Sequence, residues 1–162
     1  MKSSVRLPFL ILLAFTSAGL FSSCDKAKEA ATEFVNVLSA NVNGIAFNNA
    51  HTTNAARNTM TNGTYQLTIT STSTTGQMIT IAVNNYTGAA GTFTVNGTSA
   101  IGAYNTGIAG SADLIGNSGQ VIITSVDSNT APNASIIYGT FSFTTNGGYS
   151  ITAGTFGVVV VK

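Results

Sequence analysis

In Tyr65-Gln66-Leu67-Thr68-Ile69-Thr70 every second side chain is apolar and the intervening ones are polar. A β-strand sends successive side chains to opposite faces, so a period of two describes a strand with one face in a core and one in water. The same period recurs outward from this stretch. Ile79, Ile81 and Val83 alternate with Thr80 and Ala82. Phe93 and Val95 follow Gly91-Thr92, and Ile101 with Ala103 forms a weaker strand. Val121-Ile122-Ile123 is apolar without alternation, as a strand covered on both faces would be. Ile137, Phe141 and Phe143 share one face of 135–144, and Phe156, Val158 and Val160 share one face of 154–161. Upstream, Leu38, Ala40 and Val42 alternate with Ser39 and Asn41, and Asn43-Gly44 supplies the positive φ of a tight hairpin leading into Ile45 and Phe47.

Between these runs lie breaks rich in Asn, Gly and Ser, at 73–76, 84–91, 116–119, 129–133 and 146–148. No strand–helix alternation appears, which disfavours a parallel sheet. The expectation is an all-β domain over 34–162, mostly antiparallel, forming a sandwich or flattened barrel of about eight to ten strands. Alternation does not separate those two architectures. One segment stands apart. Residues 48–63 are polar and long for a connection, and they hold His51 and Arg57. Such a length points to a functional loop, or to a weak strand hidden around Ala55–Met60.

The amino terminus carries a different signal. Lys2 and Arg6 precede an apolar run from Leu7 to Phe21, then Ser22, Ser23 and Cys24, the chain's single cysteine. A basic region, a short apolar region and small residues before a cleavage point describe a secretory signal over 1–23. The run is shorter than the roughly 20 residues a helical span needs. A cysteine directly after small residues resembles the lipobox of bacterial lipoproteins, with Phe21 where Leu is usual. That resemblance implies cleavage before Cys24 and acylation of its thiol and amine. Several acyl chains suffice for stable anchoring. Residues 24–33 then read as a tether between anchor and domain.

Charge is scarce. Only 7% of residues are charged, and beyond Glu33 only Arg57, Asp113, Asp127 and Lys162 remain. Solubility must come from Thr, Ser, Asn and Gly. With no basic stripe, nucleic acid is not an expected partner. With no acidic cluster, a carboxylate calcium cage is not expected, and one cysteine forms no disulfide within the chain. A zinc site lacks ligands. A catalytic relay would have to use His51 with Asp113 or Asp127 as orienter, and no nucleophile pattern accompanies it. The same two acids form the candidate carboxylate pair for glycoside cleavage. Asp127, beside Ser128-Asn129 at a strand end, reads better as a turn acceptor. No catalytic residue, metal or cofactor is therefore assigned. The candidate binding surface is a set of tyrosines at or near turns: Tyr86, Tyr104, Tyr138 and Tyr149.

The order of short motifs has a further likeness. Val42-Asn43-Gly44 with Phe47, then Gly91-Thr92-Phe93, then Gly119-Gln120-Val121-Ile122-Ile123-Thr124-Ser125-Val126-Asp127, then Gly139-Thr140-Phe141-Ser142-Phe143 and Thr152-Ala153-Gly154-Thr155-Phe156 follow one another along the chain. This resembles a family of small Bacteroidota lipoproteins of unknown function, over roughly 38–161. Members of that family typically carry Asn where this chain has Ala153. The resemblance implies an exported β domain held at the outer membrane by acyl chains on Cys24, facing the periplasm or the surface. The function expected is a non-enzymatic structural or binding module with an envelope protein or glycan as partner. The alternative is a small β-barrel carrier whose apolar ligand would sit among Phe93, Phe141, Phe143 and Phe156. The glycine of each Gly-Thr-Phe permits a bulge, a bend or a close backbone approach.

Overall fold

The computed structural model describes residues 36–47, 52–131 and 133–161, and the signal segment at 1–23, Cys24, the tether at 24–33 and His51 lie outside the described residues. Ten strands follow in chain order: β1 (Val37–Val42), β2 (Ile45–Phe47), β3 (Thr52–Thr59), β4 (Tyr65–Thr72), β5 (Met78–Tyr86), β6 (Gly91–Thr94), β7 (Ala100–Asn105), β8 (Leu114–Ala131), β9 (Ala134–Thr145) and β10 (Ser150–Val161). The expected all-β, antiparallel architecture is what forms. All ten strands join one sheet in the order β2-β1-β10-β9-β8-β7-β5-β4-β3, with β6 added alongside β8. The sheet curls into a half-barrel, which brings the edge strand β3 against β10 and β1. Of the sandwich or flattened barrel expected, this curled antiparallel sheet of ten strands is the form taken.

The faces follow the sequence period. Leu67 and Ile69 on β4, Ile79, Ile81 and Val83 on β5, Ile137, Phe141 and Phe143 on β9, and Phe156, Val158 and Val160 on β10 are all buried on the concave side. The predicted hairpin is present: Val42 pairs with Ile45, and Asn43 and Gly44 both take positive φ. The outer face is held by hydroxyl and amide pairs instead of charges. Ser39 and Thr155 lie 2.7 Å apart across β1 and β10, and Gln66 Nε2 donates to Asn84 Oδ1 at 2.8 Å.

Of the two readings of 48–63, the hidden strand is the one that forms: among the described residues β3 fills 52–59, starting three residues before Ala55, and pairs with β4 throughout. Its inward face is Thr53, Ala55 and Arg57, so the alternation that betrays a strand is written without a large apolar residue. Buried Thr53 instead shares a 2.9 Å hydroxyl pair with Ser71. On β7 the core face is Ala100, Gly102 and Tyr104, not Ile101 and Ala103. Gly102 conceals this, since the place of its missing side chain is taken by the Phe143 ring, 2.7 Å from where a Cβ would stand.

Among the described residues β9 pairs with β10 out to Val161, and the β1 ladder runs as far as Val37 opposite Gly157. Beyond it, among the described residues, Asn36 Oδ1 accepts from the Val159 N–H at 2.9 Å.

β10 bends at Ala153-Gly154, where the register shifts against both β9 and β1. Ala153 adopts φ 50° there, a left-handed conformation in which its Cβ crowds the following carbonyl. The side chain is exposed, so little packing is at stake. Replacing it by Asn, which tolerates this region better, should raise stability by about 0.5–1 kcal/mol in urea denaturation. A loss of stability would mean that the Ala153 methyl makes a contact that matters.

Candidate functional site

Asp113 and Asp127, the acids weighed as a carboxylate pair and not assigned to catalysis, sit at opposite ends of β8. Asp113 precedes the strand, where its Oδ1 accepts from Asn105 Nδ2 at 2.9 Å. Asn105 also receives the Gly107 N–H and the Ser111 hydroxyl, so Asp113 belongs to a turn staple. Asp127 lies near the far end of the same strand. At about 3.3 Å of rise per residue the intervening strand holds the two carboxylates tens of ångströms apart along its length, beyond the spacing of a glycosidase pair. Among the described residues no three His, Cys, Asp or Glu side chains gather as metal ligands.

The four tyrosines do not form one surface. Tyr104 is buried and stacks obliquely on half-buried Tyr149, with ring centroids 5.0 Å apart. Burial pushes the Tyr104 phenol above its ordinary range, and Tyr149 adds to that. Tyr138 lies half-buried on the outer face of β9. Tyr86 is buried at the opposite end of β5 from the Tyr104 contact, paired with Tyr65.

It is at the Tyr86 end that chemistry gathers. Arg57 projects inward from β3, because it shares the face of Thr53 and Ala55. Its guanidinium Cζ lies 3.5 Å from the centre of the Tyr65 ring. Stacking on an aromatic face leaves the planar N–H edges of an arginine free to donate. Among the described residues Arg57 has no carboxylate partner. The Tyr86 hydroxyl is buried and has no hydrogen-bond partner among the described residues. Burial pushes its phenol above the ordinary range, and the positive charge of Arg57 offsets part of that rise. The phenol therefore stays protonated at neutral pH.

A cleft of about 70 Å³ opens here between β3, β5, β8, β9 and β10. Arg57, Tyr86, Ser128 and Ser135 supply its polar lining, and Val126, Ile137 and Val160 its apolar wall. The two serine hydroxyls lie 3.4 Å apart. A water needs roughly 10–15 Å³ of such space, so the cleft holds a few waters or a small chemical group. Among the described residues its polar lining is a cation and hydroxyls, with no imidazole, thiol or carboxylate.

Sequence reasoning placed Tyr86 in a binding surface and marked Arg57 as unusual. It did not join them, and it missed Tyr65, Ser128 and Ser135. The one available signal was the isolated arginine in a stretch otherwise free of charge. The phenylalanines named for the carrier reading have other neighbours. Phe141 packs against Phe143 and Phe156 with centroids 6.3 and 6.4 Å apart, in the buried core cluster. Comparison with family models, curated proteins and solved structures finds no match to this chain.

Proposed function

We propose that this chain is a lipid-anchored, non-enzymatic module of a bacterial envelope, held at the outer membrane by acyl chains on Cys24 and exposing its β domain to the periplasm or the surface. Its partner is an envelope protein or glycan, and neither nucleic acid nor a cofactor takes part. What supports the non-enzymatic reading is one observation. The polar groups that converge in the described domain are a guanidinium and hydroxyls with no general base among them, while its two acids lie at opposite ends of one strand. The packing of the Phe141 ring against Phe143 and Phe156 favours this module over an apolar-ligand carrier. Support for the anchor comes from the sequence order of Lys2, the apolar run, Ser22-Ser23 and Cys24.

The anchor is tested in cells fed an alkyne fatty acid. The wild type should take up the label and partition into detergent, and Cys24→Ser should do neither. Equal labelling of the two would remove the lipoprotein reading.

A further inference from the structure

The outer wall of the sheet changes character along β1, β10 and β9. In one row across these strands Ser39, Thr155 and Thr140 stand side by side, and Ser39 and Thr155 share a hydroxyl pair. The row meets half-buried Ile122 on β8. The next outward row toward the end of β10 is Val37, Gly157 and Tyr138, and after it come Val159 beside Ile136 and Val161 beside Ala134. These residues face away from the core, because they alternate with the core residues Leu38, Ile137, Val158 and Val160. Ile136 is buried without belonging to the core cluster, Val37, Tyr138 and Val159 are half-buried, and Val161 is 70% exposed. Hydroxyls thus give way to a contiguous apolar patch. Single exposed apolar residues are ordinary, whereas a contiguous patch marks a surface that meets a protein or a membrane.

The patch lies where the chain enters the domain. Asn36 is the first described residue, and its Oδ1 accepts from the Val159 N–H within the patch. Cys24 stands twelve positions earlier, and twelve residues reach at most about 40 Å. An acylated Cys24 keeps this end of the domain within that distance of the bilayer. We infer that the patch rests on the lipid interface, with Val159 and Val161 among the headgroups and Tyr138, apolar in its ring and polar at its tip, at their boundary. Asp127, opposite Ile136 on β8, keeps the contact shallow, because hydrocarbon does not accommodate a carboxylate. No cation stands in these rows among the described residues, so the contact draws on apolar burial and needs no anionic lipid. This rests on the anchor reading proposed above. Fatty-acid labelling reads whether Cys24 is acylated, and the experiment below reads which end of an anchored domain meets the bilayer, so the two fail separately.

The lipidated chain is reconstituted into phosphatidylcholine vesicles carrying doxyl spin labels near the headgroup, with a fluorophore on a single introduced cysteine. Val161→Cys reports the patch. Ile108→Cys reports the opposite end of the sheet, beyond the paired Tyr104 and Leu114, where Ile108 is 71% exposed. Quenching at position 161 should exceed that at 108 several-fold, persist at high salt and be no stronger in vesicles enriched in phosphatidylglycerol. Adding Val37→Thr and Val159→Thr, which keep the β-branched shape, should lower quenching at 161 toward that at 108. The proposal is overturned if both positions are quenched equally, if neither is, or if salt removes the difference. Self-quenching between labels at 161 that rises with protein density would assign the patch to a second copy. A label at 161 shielded from both lipid and aqueous iodide would assign it to the chain's own tether. Either result overturns the lipid contact.

Discussion

Phe141→Ala is expected to destabilise the domain by about 3–5 kcal/mol in denaturant titration. Phe141 is buried and touches the aromatic rings on either side of it in the core, Phe143 on its own strand and Phe156 on β10. Its ring also covers Gly154, where a Cβ would stand 2.6 Å from the ring edge. Truncation removes the transfer free energy of the ring and leaves a void bounded by the other two phenylalanines and by backbone. β9 is fixed on both sides, by β8 and β10, so that void closes poorly. A loss of this size is a large part of the roughly 5–15 kcal/mol that holds an ordinary domain together. Tyr138 on the same strand lies on the outer face, so Tyr138→Ala should cost clearly less. If the two changes cost the same, the concave face is not the core.

Gly139→Ala is the second large effect, and it runs through overpacking instead of cavity formation. A methyl at Gly139 would overlap the Phe156 ring at Cζ and the carbonyl oxygen of Ile122. Strain from added core methyls typically costs about 1–3 kcal/mol and sometimes more. The upper end is expected here because the carbonyl belongs to the β8–β9 ladder and yields only if the pairing of Ile122 with Thr140 is disturbed. A double-mutant cycle separates the two obstacles. Adding Phe156→Ala should relieve the ring overlap, so the combined cost falls below the sum of the single costs. The strain against Ile122 should remain. Gly91→Ala is the control, because the nearest atom there is the chain's own Phe93 ring at 3.4 Å. It should be tolerated far better, and equal losses at 91 and 139 would refute the cross-strand explanation.

These glycines show where the reading of a sequence stops. Gly-Thr-Phe occurs at 91, 139 and 154, and the tripeptide marks a strand each time. At 139 and 154 the roles are reciprocal across the β9–β10 ladder. Gly139 pairs with Phe156 and Gly154 with Phe141, and each glycine lies under the ring of its partner. At 91 no partner ring lies over the glycine. The local sequence is the same, and the register with another strand decides what the glycine is for.

The sequence by itself determined the β class, the Asn43-Gly44 hairpin and the buried faces of β4, β5, β9 and β10. These rest on local physics: a period of two along a strand, and a turn that needs positive φ at consecutive residues. It offered β3 only as one of two readings, a weak strand around Ala55–Met60, because the inward Thr53, Ala55 and Arg57 carry no large apolar residue, and it did not reveal the core face of β7, where Gly102 stands in for a ring supplied by β9. Tertiary structure alone decided that the strands form one curled sheet, since a sandwich and a barrel display the same alternation. It also placed β1 beside β10, a pairing between the two ends of the domain that no local pattern encodes. The candidate site follows from that closure. Arg57 meets Tyr65 through the β3–β4 register, Tyr65 meets Tyr86 through the β4–β5 register, and the curl of the sheet brings β3 against β10 and gives their cleft its apolar wall.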